Sequence, residues 1–175
     1  MSGEDHTLLY FSLVHGAYPR EFKKRPENMP QEMEGRMKCR EVLTENPVFC
    51  LPDDPAGQVA RLMRRERLGS IPVVTDEQRR ELIGIVTDRD LAFKVVGESR
   101  DGNRTSTFDI MTRTVVACRD DDDITCAVMA MEDHAIRRIP VVDYAGRLVG
   151  IISHEDVSNR MLPRRPVLHS VWQAA

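Results

Sequence analysis

No stretch of the chain is apolar for long enough to cross a bilayer. The longest run near the N-terminus, Leu8 to Val14, is far shorter than the roughly 20 residues a spanning helix needs. It follows Glu4 and Asp5 rather than the positive segment of a secretory signal. A basic excess is also lacking: the net charge is −3 over 175 residues, so a broad nucleic-acid surface is not indicated. The four cysteines (Cys39, Cys50, Cys118, Cys126) show no CxxC spacing. That argues against a disulfide framework or a Cys/His metal site and for reduced thiols in a cytoplasmic protein. Cys50 and Cys118 read as small buried hydrophobes. No nucleophile–base pair, metal set or glycine-rich phosphate loop occurs at usable spacing, which argues against an enzyme. What is present, 41% hydrophobic and 30% charged residues, describes a soluble globular chain of one ordinary domain or two small units sharing a core.

The chain repeats itself. "VLTENPVFCLPDD" (Val42 to Asp54) matches "IMTRTVVACRDDD" (Ile110 to Asp122), and "SIPVVTD" (Ser70 to Asp76) matches "RIPVVDY" (Arg138 to Tyr144). "ELIGIVTDRDLAF" (Glu81 to Phe93) matches "RLVGIISHEDVSN" (Arg147 to Asn159). Each copy predicts the order β-α-β-β-α. A short strand (Val48 to Leu51; Val116 to Cys118) runs into an acidic turn, where Asp54 is expected to cap a helix with Pro55 at its first position. Ala56, Val59, Ala60 and Met63 then fall on one helical face, as do Ile124, Ala127, Val128 and Met131. Two β-branched runs follow (Ile71 to Val74 with Leu82 to Val86; Ile139 to Val142 with Leu148 to Ile152), read as strands covered on both faces. Asp143-Tyr144-Ala145-Gly146 is a hairpin turn. The closing helices put Leu91, Val95 and Val96 on one face in the first copy, and Val157, Met161 and Leu162 in the second. One such unit buries too little surface to stand alone, so the copies should pack about a pseudo-two-fold axis.

The combination of "IPVV", a turn, and "GIVTDRD", repeated as "IPVV" and "GIISHED", resembles the CBS domain, which occurs as a tandem pair called a Bateman module. The resemblance covers roughly residues 36 to 162. It implies an α/β (α+β) fold of two β-α-β-β-α repeats with small mixed sheets and helices. The corresponding division is 1–35 as N-terminal extension and linker, 36–97 and 105–162 as repeats, and 163–175 as tail. It also implies a regulatory module that binds adenine nucleotides in clefts between the repeats, dimerises, and signals to a protein target. AMP is the first candidate, with ADP, ATP, NAD and S-adenosylmethionine as others. No catalytic, transporter or channel domain accompanies the pair in this sequence.

The residues suit that chemistry. A helix starting just after a strand offers unpaired N–H groups and a positive dipole end to a phosphate. Thr87 and Ser153 add a hydroxyl there, and Asp90 and Asp156, three residues on, are placed to accept both hydroxyls of a ribose. The same pattern is a capping box that needs no ligand. Arg89 gives the first turn a cation where the second has Glu155, and Arg137 and Arg138 precede the second copy's strand where the first has Gly69 and Ser70. The resemblance implies that Arg137 and Arg138 meet phosphates, a role suited to forked guanidinium donors; a solvated arginine pair is the plainer alternative. It also suggests Val48, Val116, Ile71, Pro72, Ile139 and Pro140 as adenine contacts, although all would be core residues in any version of the fold. Thr44 and Thr112, at equivalent positions before the first strands, are placed to meet base or ribose.

Asp120 to Asp123 lack further ligands at calcium-loop spacing and read as cap and solvated turn. His134 reads as a surface residue. Outside the repeats, Thr7 to Tyr18 reads as a strand or helix that docks on the module or on a second subunit, Pro19 to Pro30 as a linker, and residues 31 to 43 as a helix leading into the first repeat. Pro163 to Ala175 reads as a mobile tail that Trp172 could anchor to a partner, with docking and disorder both open for either end. A ligand-free module that only dimerises or docks is the competing class.

Overall fold

The computed structural model describes residues 37–161, with the Met161 side chain left out. The segments 1–36 and 162–175, including Leu162, the N-terminal extension and the tail, lie outside the described residues. The order of elements is β1 (Thr44–Glu45), α1 (Ala56–Glu66), β2 (Ser70–Val74), β3 (Leu82–Thr87) and α2 (Asp88–Asp90), the last continuing as a wider π-helical stretch, Leu91–Val96. Then come α3 (Thr107–Ile110), β4 (Cys118–Arg119), α4 (Ile124–Asp133), β5 (Arg138–Val142), β6 (Leu148–Ser153) and α5 (His154–Met161).

The two copies form equivalent sheets. One has the order β1-β6-β5-β4; β2 and β3 form the other, extended by single bridges from Thr112 to Ile85 and from Cys50 to Val73. In each sheet the outer strand beside β3 or β6 comes from the residues that precede the opposite repeat. Thr44 pairs with Ile151, and Thr112 pairs with Ile85. These lead-in straps continue onto the opposite repeat's helix start. The Cys39 N–H donates to the Asp122 carbonyl and Ile124 N–H to the Met37 carbonyl; Thr107 N–H donates to Asp54 and Ala56 N–H to Thr105. The cores follow the exchange. Cys39 and Val42 pack with Cys118, Ile139 and Ile152, while Ile110 and Met111 pack with Cys50, Ile71 and Val86.

The pseudo-two-fold axis passes between Glu81 and Arg147, which form an antiparallel bridge. On either side of it Leu82 N–H donates to the Gly146 carbonyl and Leu148 N–H to the Arg80 carbonyl.

Several expectations hold. The predicted helix faces hold in the main: Ala56, Val59, Met63, Ile124, Ala127 and Met131 are buried, while Ala60 and Val128 are half-buried. The thiols of Cys50 and Cys118 are buried. Burial, reinforced by the Asp54 charge, pushes the Cys50 thiol up to about 12 despite a hydrogen bond with Thr107. The Asp143 turn forms, with Gly146 at φ 77°, and His134 is exposed at the end of α4.

Other expectations are corrected. The first strand of the first copy is reduced to one bridge at Cys50, because Pro52 occupies the position where Asp120 in the second copy donates its N–H to Val142. In that second copy the strand is Cys118–Arg119 rather than Val116 to Cys118. Asp54 does not cap α1, whose N-cap is Pro55. Its carboxylate turns back to accept from Leu51 N–H at 2.8 Å, and the helix's orphan N–H groups at Ala56 and Gly57 go to the carbonyls of Thr105 and Gly102. The helix expected over residues 31 to 43 is, within the described part, a single 3-10 turn, Cys39–Glu41. Its backbone donors are spent on Asp120 and Asp122 instead. Strands β2 and β5 are covered on both faces over their last four residues, whereas β3 and β6 alternate buried with half-buried residues. Val96 is 75% exposed while Val95 is buried, because the π-helical stretch rotates successive residues differently from an α-helix.

Gly84 and Gly150 allow the straps to cross. A Cβ on Gly150 would stand 2.9 Å from the Thr44 carbonyl oxygen and 2.7 Å from Leu43 Cδ1; on Gly84 it would meet the flexible Met111 Sδ at 2.5 Å. Overpacking of this kind costs about 1–3 kcal/mol. Gly150→Ala is expected to destabilise more than Gly84→Ala, because a backbone atom cannot swing aside as a methionine can. Urea denaturation of the two variants measures the difference, and equal losses would contradict it.

Candidate functional site

The alternation of β3 and β6 decides where the site lies. Ile83, Ile85 and Thr87 share the half-open face of β3, and Val149, Ile151 and Ser153 share that of β6. Each hydroxyl residue thus ends a strand on its accessible face and opens a helix. Strand pairing adds neighbours. Ser70 lies opposite Thr87, and Thr112 is bonded to Ile85, two residues upstream. Arg138 lies opposite Ser153, and Thr44 pairs with Ile151. The structure therefore gathers Thr87, Asp90 and Thr112 in one place, and Ser153, Asp156, Thr44, Arg137 and Arg138 in the other, each group crossing between the repeats.

Both turns close as capping boxes. Asp90 Oδ2 accepts from the Thr87 N–H at 2.9 Å and hydroxyl at 2.6 Å, and Asp90 N–H returns to Thr87 Oγ1 at 3.1 Å. Asp156 repeats these bonds with Ser153 at 2.8, 2.6 and 3.1 Å. Beyond this the copies part. Lys94 Nζ, one turn on from Asp90, donates to Asp90 Oδ1 at 2.7 Å and to the Ile110 carbonyl at 2.6 Å. Partial burial pushes the Asp90 carboxyl upward, but the bonds from Lys94 and Thr87 outweigh it and hold the group below the ordinary aspartate value. Arg160 stands in the corresponding place after Asp156, exposed and without an ion pair among the described residues.

Donors at the helix starts differ as well. In the first copy Asp88 N–H goes to the Gly69 carbonyl and Arg89 N–H to Asp88 Oδ1. In the second, His154 N–H goes to the Arg137 carbonyl, and no described residue accepts from Glu155 N–H. The Arg89, Arg137 and Arg138 side chains are exposed, and so are Thr44 and Thr112. The proposed base contacts are less open. Ile71 and Ile139 have no accessible surface, Pro72 and Pro140 are buried beside them, and only Val48 and Val116 are half-buried at the edges of the cores. A separate cavity of about 330 Å³, lined in part by Arg40, Arg80, Asp120 and Leu148, touches none of the predicted site residues.

Sequence reasoning passed over Lys94. Its signal was the i, i+4 spacing from Asp90, but Arg160 has the same spacing from Asp156, so spacing alone does not tell a paired cation from a free one. No group of three or more metal-type ligands occurs among the described residues, and no helix among them is long and apolar enough to cross a membrane.

Two β-α-β-β-α units exchanging lead-in straps around an axis, each ending a strand in a hydroxyl–aspartate turn, define a paired-repeat module. The chain belongs to the CBS-domain family, whose model matches residues 39–97 and 108–163. Among curated relatives, "Uncharacterized protein MK0525" of Methanopyrus kandleri is 35% identical over 123 residues, covering 70% of this chain and 59% of that protein. The inosine-5'-monophosphate dehydrogenase of Thermoplasma acidophilum is 32% identical over 139 residues, covering 79% of this chain but only 27% of the dehydrogenase. The match thus spans between about a quarter and three fifths of these relatives' lengths. Among solved structures, the CBS-domain containing protein ATU1752 from Agrobacterium tumefaciens aligns with TM-score 0.60 at 29% identity, over 72% of this chain and all of that one. The CBS domain pair of protein MJ0100, in complex with 5-methylthioadenosine and S-adenosyl-L-methionine, aligns with TM-score 0.59 at 27% identity, over 71% and 94% of the two chains.

The Lys94–Asp90 pair has a pH signature. A carboxyl whose folded pKa is depressed adds stability that is complete above its ordinary value, near 4, and lost as the pH falls through the folded value. The lysine is partly exposed, so solvent screening holds the pair to about 1 kcal/mol or less. Lys94→Met should therefore lower stability by about that amount at pH 7 and by less towards pH 3. Urea titrations of variant and wild type at both pH values test this, and a pH-independent difference would count against the ion pair.

Proposed function

We propose that the protein is a regulatory module that binds an adenine nucleotide between its repeats and passes the change in their arrangement to a partner. The observation that carries this reading is the hydroxyl–aspartate turn built twice at a strand-to-helix junction, with Arg137 and Arg138 exposed beside the second. An adenosine derivative fits the turn through its ribose, whose hydroxyls donate to Asp90 or Asp156, while Thr87 or Ser153 keeps its own hydroxyl proton on that aspartate and holds it in place, leaving the phosphate to the neighbouring guanidiniums. The MJ0100 pair supports the adenosine part of the reading, since its ligands are adenosine derivatives. The arginines refine it. Two exposed guanidiniums favour an anionic phosphate over the sulfonium cation of S-adenosylmethionine, so AMP heads the candidates, ahead of ADP, ATP and NAD. Thr44 flanks the ribose at the second turn and Thr112 at the first, where Arg89 supplies a cation, and the base lies against the half-buried edges at Val48 or Val116. Base contact with Ile71, Pro72, Ile139 or Pro140 then requires the strands to part slightly.

This reading makes the protein a non-catalytic cytoplasmic regulator that works as a homodimer with a protein target. The ligand shifts an equilibrium only to the extent that it binds one arrangement of the repeats more tightly than the other.

Ligand-induced stabilisation provides the test. A nucleotide at about a hundred times its dissociation constant adds roughly 2.7 kcal/mol, or about 5–10 °C in the melting temperature of a chain this size. AMP is expected to raise the midpoint by that amount, S-adenosylmethionine to raise it less, and the double variant Arg137→Ala/Arg138→Ala to weaken the AMP response at least tenfold in concentration. A protein whose midpoint ignores all five ligands is instead a ligand-free interaction module.

A further inference from the structure

The two turns are not equally free to accept a ribose. A carboxylate offers about four lone-pair positions to donors. Asp90 has three filled, two on Oδ2 by the Thr87 N–H and hydroxyl and one on Oδ1 by Lys94. Asp156 has two filled, both on Oδ2, and no described residue donates to its Oδ1. A ribose diol needs two acceptor positions at once. Asp156 can receive it with its turn intact, whereas Asp90 must first release Lys94. That ammonium is held from the other side as well, by the Ile110 carbonyl at 2.6 Å on the strap that crosses β3.

The phosphate end differs in the same direction. Beside Ser153 stand the exposed Arg137 and Arg138 and a Glu155 N–H that no described residue accepts; at the matching places of the first turn are Gly69, Ser70 and an Arg89 N–H already given to Asp88, which leaves the Arg89 guanidinium as that turn's exposed cation. Acceptors for a diol and donors for a phosphate are therefore free together only in the second turn.

Resting on the adenine-nucleotide reading above, we infer that the chain takes one nucleotide, in the cleft of Ser153, Asp156, Arg137 and Arg138, and that Lys94 is the specificity-determining residue that closes the first cleft. Lys94 does in the first cleft what a ligand does in the second: it satisfies the aspartate and ties the turn to the neighbouring strap. The first turn is a permanent joint, and the second is the one a ligand completes.

Isothermal titration of the full chain with AMP tests this, using wild type, Asp156→Asn, Lys94→Met and Lys94→Gln. Glutamine keeps a donor for the Ile110 carbonyl, so it separates a lost ion pair from a loosened strap should the methionine variant fold poorly. Wild type should bind one AMP per chain, and Asp156→Asn should weaken that event at least tenfold. Removing the ammonium should add a second, weaker event and raise the stoichiometry from one to two. A wild type that binds two AMP, or both Lys94 variants remaining at one, overturns the inference while leaving a nucleotide-binding module in place. Absence of AMP binding to all four proteins overturns the adenine-nucleotide reading itself and this inference with it.

Discussion

The reciprocal exchange of lead-in straps is the constraint on which the rest of the molecule depends. The residues that open each repeat complete the sheet, the core and the helix start of the other: Cys39 and Val42 belong to one core, Ile110 and Met111 to its counterpart. Neither repeat has a finished sheet edge without its partner's strap, so the two halves gain stability together. The crossing demands a close approach at Gly84 and Gly150, which is why both copies of the motif begin with glycine. Each strap also carries a threonine, Thr44 or Thr112, to within two residues of the hydroxyl–aspartate turn. The packing problem and the placement of the site thus have one solution.

Capping and ligand binding are often set against each other as explanations of such a turn, but here they use different lone pairs. The cap occupies one carboxylate oxygen and fixes the aspartate's rotamer. The second oxygen is then left to other donors, on a carboxylate already oriented, at little further entropic cost. In the first copy Lys94 consumes that presentation, and in the second nothing described does.

Much of the fold was legible because the chain states it twice. Hairpin strands, buried helix faces and the Asp143 turn all follow from local pattern, and the repeat fixed their order. What escaped was set by contacts between distant residues. Pro52 and Asp120 align as ordinary turn residues, yet only one has an N–H to prolong its strand. Asp54 looks like a helix cap, but the helix N–H groups are met by Thr105 and Gly102 carbonyls, which no local signal announces. The exchange itself is invisible in sequence, since residues adjacent to a repeat give no sign of packing on the other one. At the site, residue types were readable and occupancy was not: the acid, the hydroxyl and the arginines stood out, whereas no local signal tells that Lys94 is held by Asp90 and the Ile110 carbonyl while Arg160 has no ion pair among the described residues.

The bridge between Glu81 and Arg147 on the pseudo-two-fold axis bears on why the repeats are fused. In a symmetric dimer of single repeats, this position would face its own copy, setting like charge against like, which is unfavourable across paired strands. Joining the repeats in one chain removes that symmetry requirement. The two copies can then carry opposite charges at the point where they meet, and a homotypic contact becomes a heterotypic one. Covalent linkage therefore does more than keep the halves at high effective concentration. It lets their shared axis be chemically polar, and with it the clefts on either side become free to diverge.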